Sequence, residues 1–227
     1  MANCRLTHAN LSALGKNGQA RLSNSAFGIA GLGGVGGIAF ELLLRAGVGE
    51  IRIADNGFFE ESNANRQLLW SSKTDGKRKI QSALSRACSL NKNCKVIPFG
   101  KINSHNAEEF SRGCAAVIDA TDSPDSRKAV FSGCSLSKTP YIFSSALGPR
   151  GMLSVISGAH LGQRHPFLKE GSTAKRCDHA LGPVANAIGC LAAQQAMNLA
   201  LFKPAIKFPS ILSLDAFSKT PAIIHRF

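Results

Sequence analysis

The sequence predicts an α/β fold with a mostly parallel sheet and a mixed α+β carboxyl-terminal part, on three observations. Short apolar segments alternate with helical stretches from Ser25 to about residue 146. One of them, 115–120, is nearly all apolar, as suits a strand covered on both faces in the middle of a parallel sheet. Beyond Gly151 the alternation gives way to MLSVI, a polar, basic loop over 157–176, a helix and two further strand candidates.

The elements follow in order. Strands are expected at 25–30 and 50–54, with a helix between them running to Ala46. A helix over 76–90 puts Ile80, Leu84 and Ala87 on one face, and a strand follows at 94–99. A short helix at 107–112, the apolar strand at 115–120 and a helix at 125–138 complete the alternating part. The last third holds a helix from about Pro183 and strands at 210–215 and 222–225. At 227 residues the chain is a little above ordinary single-domain size, so one domain is expected: a βαβ core over 1–146 and an elaboration over 147–227.

Composition bounds the function. Apolar residues at 44% and charged residues at 18% permit a buried core and argue against extensive disorder. A formal charge of +13 favours polyanions or acidic protein surfaces without naming a partner, and no basic run interleaved with aromatics marks a nucleic-acid footprint. The seven cysteines are odd in number and form no CxxC pair, a pattern that suits reduced thiols and a cytoplasmic location. No secretory signal is read at the amino terminus. The longest apolar segment, 183–201, is interrupted by Asn186, Gln194, Gln195 and Asn198, so no membrane span is expected.

Gly31, Gly33 and Gly36 form GxGxxG between a strand and a helix, where backbone approaches phosphate closely and a helix amino terminus attracts anions. Asp55 lies at the end of the next strand, placed to accept hydrogen bonds from ribose hydroxyls. Together they favour an adenine nucleotide on a Rossmann-like βαβ unit, with a dinucleotide oxidoreductase as the competitor. A P-loop is excluded because GxxxxGK[ST] is absent. Three charged residues bear on the choice. Arg66 in SNANRQ can fork onto phosphate, Lys79 in GKRK adds a point charge, and Asp122 can hold Mg²⁺. Taken singly, Arg66 and Lys79 also read as surface cations, and Asp122 as a helix cap before Ser123 and Pro124.

The run GLGGVGG, ADNGFFEESNANRQ, DGKRK, VIDATDSPDSR and the terminal SLDAF resembles the ThiF/MoeB/HesA family, relatives of the enzymes that activate ubiquitin-like proteins. The resemblance covers most of the chain, and SNANRQ is its most specific piece. It implies an ATP-dependent adenylyltransferase that activates the carboxyl terminus of a ubiquitin-like or sulfur-carrier protein, with a carboxylate on tRNA or on a peptide as alternative substrate. By resemblance, Gly31, Gly33, Gly34 and Gly36 cradle the nucleotide and Asp55 meets ribose. Asn63, Arg66 and Lys79 surround the phosphates, and Asp122 is the Mg²⁺ ligand. Cys177, in AKRCDH, lies where some relatives carry a sulfur-handling or acyl-accepting cysteine, and Lys175 and Arg176 would favour its thiolate. Cys190 reads as packing. No zinc is expected: His160 and His165 are too few ligands, and the two CxxC pairs of zinc-containing relatives are absent. A homodimer is implied, and the basic loop 157–176 is expected to dock the carrier protein. Two departures stand out. Gly57 replaces an acidic residue, and the amino-terminal arginine motif is reduced to Arg5 with His8 nearby. They leave open a catalytically impaired subunit that pairs with an active homologue.

Overall fold

The computed structural model describes residues 4–163, 165 and 180–226. Eight strands, β1 (Ala26–Ala30), β2 (Glu50–Ala54), β3 (Lys95–Pro98), β4 (Ala116–Asp119), β5 (Tyr141–Leu147), β6 (Arg150–Ile156), β7 (Ser210–Asp215) and β8 (Ala222–Arg226), form one sheet. Their order is β3-β2-β1-β4-β5-β6-β7-β8. β3, β2, β1, β4 and β5 run parallel, and β5 to β8 pair antiparallel in succession.

The α/β expectation holds, and the helices explain why the first five strands are parallel. α2 (Gly34–Arg45) carries β1 to β2, and α5 (Pro124–Ser137) carries β4 to β5. Such crossovers bring the chain back to the same edge of the sheet and cover its faces. α2, α3 (Lys79–Leu90) and α6 (Gly182–Ala200) bury one face through Phe27, Ile29, Phe40, Leu43, Ala83 and Ile188. α4 (Ala107–Ser111) and α5 bury the other through Phe110, Val117, Val130, Tyr141 and Phe143.

α1 (Cys4–Ser23), bent at Gly15 where φ is 66°, is an element that no periodicity in the amino-terminal sequence announced. Its Gln19 amide donates to Ala46 O at 2.9 Å and Leu22 is fully buried, so tertiary contacts hold it. In α6, Val184, Ala185, Ile188, Ala192 and Ala196 face the core while Cys190 points outward. The expectation that Cys190 packs inside is therefore corrected, because it falls off the helical stripe that meets the sheet. Cys94 and Cys114 are buried free thiols, and burial pushes them up to about 12 and about 11.

One buried charge ties two helices together. Glu41 of α2 accepts from Arg86 of α3 at 2.6 and 2.8 Å and pairs with Arg45 one turn on at 2.7 Å. Burial works to raise its carboxyl, but the hydrogen bonds and charges of Arg86 and Arg45 outweigh that and hold it below the usual carboxylate range. Among the described residues, no helix is long and apolar enough to cross a membrane.

Candidate nucleotide site

The strand order reverses between β1 and β4, so a crevice opens beyond their carboxyl ends, where ligands bind in open α/β sheets. The glycine loop leaves β1 there. Gly31 has φ +90°, and a Cβ on it would lie 2.5 Å from Ala120 O; a Cβ on Gly36 would lie 1.8 Å from Gly31 O. Only glycine allows this turn to press against both the β4 end and the start of α2. The first bond that closes α2 runs from Gly37 N–H to Gly33 O at 2.9 Å. The amides before it have no partner within the helix, and its first turn carries no acidic residue, which leaves an uncompensated positive pole.

Asp55, just past β2, fastens this loop. Its Oδ2 accepts from Leu32 N–H and its Oδ1 from Gly57 N–H, both at 2.7 Å. Each oxygen retains a lone pair for a hydroxyl donor. Asn63 is buried, and its side-chain oxygen accepts from Glu60 N–H at 3.1 Å, so in this structure it shapes the turn that leads to Arg66. Arg66 is half-buried, with Nη1 donating to Ser62 O at 2.9 Å and to Asn65 Oδ1 at 2.7 Å. Burial lowers its guanidinium pKa, yet arginine stays charged at neutral pH. Its Cγ lies 3.4 Å from where a Cβ on Gly34 would stand, at the first residue of α2.

Lys79 opens α3 and is half-buried, with Nζ 5.8 Å from the Phe59 ring centroid. The Cβ position on Gly57 lies 3.7 Å from Lys79 Nζ and 3.1 Å from Asp55 Oδ1. An acidic residue there would enter the space between them. Asp122 is exposed in the turn after β4 and makes no hydrogen bond or ion pair among the described residues. The helix-cap role falls instead to Ser123, whose Oγ accepts from Ser126 N–H at 3.4 Å. A lone acceptor-only carboxylate fits a magnesium ion that arrives with nucleotide phosphates, since Mg²⁺ is usually held by one or two carboxylates plus phosphate oxygens. Among the described residues, no group of three His, Cys, Asp or Glu converges as an all-protein cage. Cys177, Lys175 and Arg176 lie outside the described residues, as does most of loop 157–176. His165 Nε2 lies 2.7 Å from His160 O, and the ring packs edge-on against Phe131 and Phe208.

Motif reading gave no role to Asp119, the first acid of DATD, which is fully buried at the end of β4. Its Oδ1 accepts from Thr121 N–H at 2.9 Å and Thr121 Oγ1 at 2.6 Å; its Oδ2 accepts from Tyr141 O–H at 2.5 Å. Arg127 Nε stands 3.6 Å away, and its Nη2 donates to Thr121 O at 2.5 Å. The turn that presents Asp122 is thus fixed from beneath. A carboxylate at the end of an otherwise apolar strand was the signal in the sequence.

The fold and this crevice define a class: a Rossmann-like α/β protein whose glycine loop, fastened by Asp55, lies beyond the carboxyl ends of its parallel strands. The chain belongs to the ThiF family, whose model matches residues 6–226. It is 31% identical over 213 residues to the adenylyltransferase and sulfurtransferase MOCS3 of Arabidopsis thaliana, which covers 91% of this chain and 46% of that protein. It is 30% identical over 194 residues to UBA4 of Saccharomyces cerevisiae, described in the same words, covering 82% and 44%. The chain therefore spans less than half the length of these relatives. Among solved structures it is similar to Escherichia coli MccB bound to ATP, with a TM-score of 0.77 and 17% identity over 92% of this chain and 65% of that one. The E. coli tRNA N6-threonylcarbamoyladenosine dehydratase in complex with ATP gives 0.74 and 19%, over 88% and 95%. At such identities these likenesses speak to the fold.

Proposed function

We propose that this chain is an ATP-dependent adenylyltransferase that activates the terminal carboxylate of a ubiquitin-like sulfur-carrier protein. What supports the reading is the uncapped start of α2 with Arg66 beside Gly34, on a glycine loop that Asp55 fastens, together with Lys79 beside Gly57 and Asp122, without a partner among the described residues, in the turn after β4. Transfer at phosphorus needs positive charge aimed at the phosphoryl oxygens, whereas hydride transfer does not. The family and the names of the sequence relatives point the same way.

In the proposed reaction a carboxylate oxygen attacks the α-phosphorus of ATP. The bond to the bridging oxygen breaks, its electron pair leaves with pyrophosphate, and an acyl-adenylate remains. A carboxyl with a pKa near about 4 is already ionised at neutral pH, so the step needs positioning and charge neutralisation and no general base. The glycine loop holds the phosphates, Asp55 accepts from the ribose, and Arg66 and Lys79 neutralise the phosphoryl charge. Magnesium, held by Asp122 and the phosphates, would supply further charge neutralisation. Cys177 is proposed to accept the activated acyl group or handle sulfur, loop 157–176 to dock the carrier, and the chain to act as a cytoplasmic homodimer built on a single domain.

A second reading keeps the chemistry and changes the substrate to a carboxylate on tRNA. The +13 charge favours it, as does the likeness to a fold that handles such a tRNA. Magnesium-dependent ATP–pyrophosphate exchange tests both. Exchange that requires a carrier with a free terminal carboxylate supports the first reading. Exchange that requires tRNA, with binding that falls steeply in salt, supports the second. Silence with both, despite ATP binding, points to an impaired subunit whose site is weakened at Gly57.

A further inference from the structure

Phe202 is a poor choice for the fold. It follows α6, where Lys203 N–H donates to Asn198 O at 2.8 Å and Phe202 N–H to Leu199 O at 3.2 Å, the paired bonds of a Schellman motif. The motif needs a left-handed residue, and Phe202 supplies it at φ 55°, a conformation that glycine adopts freely and a residue with a Cβ does not. Lys138, the other non-glycine residue at positive φ among the described ones, is a cation that suits the carboxyl end of α5. A phenyl ring has no such reason to be there, and at 82% exposed it gains almost no burial. Backbone and core both lose by it, so its use lies on the solvent side.

The surroundings hold the ring ready. Asn198 Nδ2 donates to Pro204 O at 2.8 Å and ties down the loop, and α1 packs against the helix end, where a Cβ on Gly18 would stand 3.6 Å from Leu201 Cδ2. Arg21 of α1 lays its guanidinium over one face of the Phe202 ring, 4.7 Å from the centroid, and leaves the other face to solvent. Lys16 and Lys203 are exposed on the same two segments, and neither has a carboxylate partner among the described residues. The surface is drawn from 1–40 and 179–214, stretches without a single Asp or Glu. Glu41, the first acid in the chain, is already held by Arg45 and Arg86. The fold thus assembles an aromatic ring among cations that no single run of the sequence contains.

We infer that this end of the molecule binds a single-stranded segment of RNA, with an unpaired base stacked on the open face of Phe202 and phosphates on Arg21, Lys203 and Lys16. An acidic peptide would satisfy the cations but has no flat group that calls for the ring, whereas every base has a π-face. RNA is the nucleic acid that offers unpaired bases, in its loops and ends. The surface is separate from the nucleotide crevice. α6 starts at Gly182, against Asn65 of the SNANRQ turn, and its 19 residues carry the chain roughly 28 Å away. RNA binding here does not depend on the adenylylation proposed above.

The test follows the fluorescence anisotropy of a labelled oligouridylate of about twelve nucleotides with the purified full chain across a salt series. A duplex RNA of the same length, the matching oligodeoxyuridylate and polyglutamate are run beside it. The expected result is binding of the single-stranded RNA that weakens with salt at a log–log slope of roughly −2, as about three phosphates are neutralised. Phe202→Gly should bind it about tenfold more weakly with the slope unchanged and a Tm equal to or above the parent's. Phe202→Asn, which also tolerates the left-handed backbone, should show the same loss. Arg21→Gln should weaken binding and reduce the slope by about 0.7. Parent-like RNA binding in both Phe202 variants overturns the inference, as does tighter binding of the duplex, the deoxy oligomer or polyglutamate, or no binding at all. A Tm that falls in both variants marks a packing role for the ring and overturns it too. A parent that binds no ATP removes the nucleotide reading and leaves the RNA result to stand by itself.

Discussion

The two halves of the sheet are built to different rules. In the parallel half, all four residues of β4 are buried, and β1 is buried from Phe27 to Ala30, because helices cover both faces. In the antiparallel half, every residue of β8 is exposed, including Ile223 at 42% and Ile224 at 58%, with Phe217 at 80% in the turn before it. The parallel half can hold a carboxylate such as Asp119 in a fully buried, hydrogen-bonded position and so present Asp122 from a rigid turn. Among the described residues, nothing covers the β8 edge, and no carboxylate is buried there in a network of that kind.

The sharpest break between the halves should come from activity. Arg66→Ala is expected to lower pyrophosphate exchange about 100-fold or more with little change in Tm, since it removes charge aimed at the phosphates and no core packing. Next come two alanines in one loop. Gly36→Ala forces a Cβ to 1.8 Å from Gly31 O and should destabilise the fold by at least ~3 kcal/mol in urea unfolding. Gly33→Ala meets nothing closer than 4.0 Å and should stay within about 0.5 kcal/mol while weakening ATP.

Core and edge isoleucines give a smaller contrast. Ile118→Ala, at a fully buried position of β4, should cost ~2–5 kcal/mol, and Ile224→Ala about 0.5 kcal/mol or less. Denaturant midpoints decide; equal costs would mean β8 is covered in solution. Tyr141→Phe should cost ~1.5–3 kcal/mol and raise the Mg²⁺ concentration needed for exchange, as the Asp119 anchor beneath Asp122 loosens. The smallest effect concerns acid. The Glu41 carboxyl is held below its usual range, so its contribution is present above the unfolded value and lost as pH falls through the folded one. Acid unfolding should therefore flatten below about pH 4.3 in Glu41→Gln relative to the parent.

Much of the fold was legible because periodicity is local. The βαβ unit, the apolar β4 and the final two strands fall where alternation and glycine punctuation put them. α1 was not legible: its hydrophobic side is too sparse to show a period, and it is held by contacts such as Gln19 to Ala46 O. The candidate site was legible as a list of residues, since SNANRQ, GKRK and DATD carry charges at sheet-end positions, but the list did not rank them.

The sequence by itself determined the α/β class, the glycine loop and the family, because these depend on residue types at short spacings along the chain. Only the tertiary structure decided that Asp55 fastens the loop through Leu32, that Asp119 and Tyr141 support the Asp122 turn, and that Cys190 faces outward. Hydrogen bonds and close approaches between residues far apart in sequence exist only once packing has brought their elements together, and no local pattern encodes them.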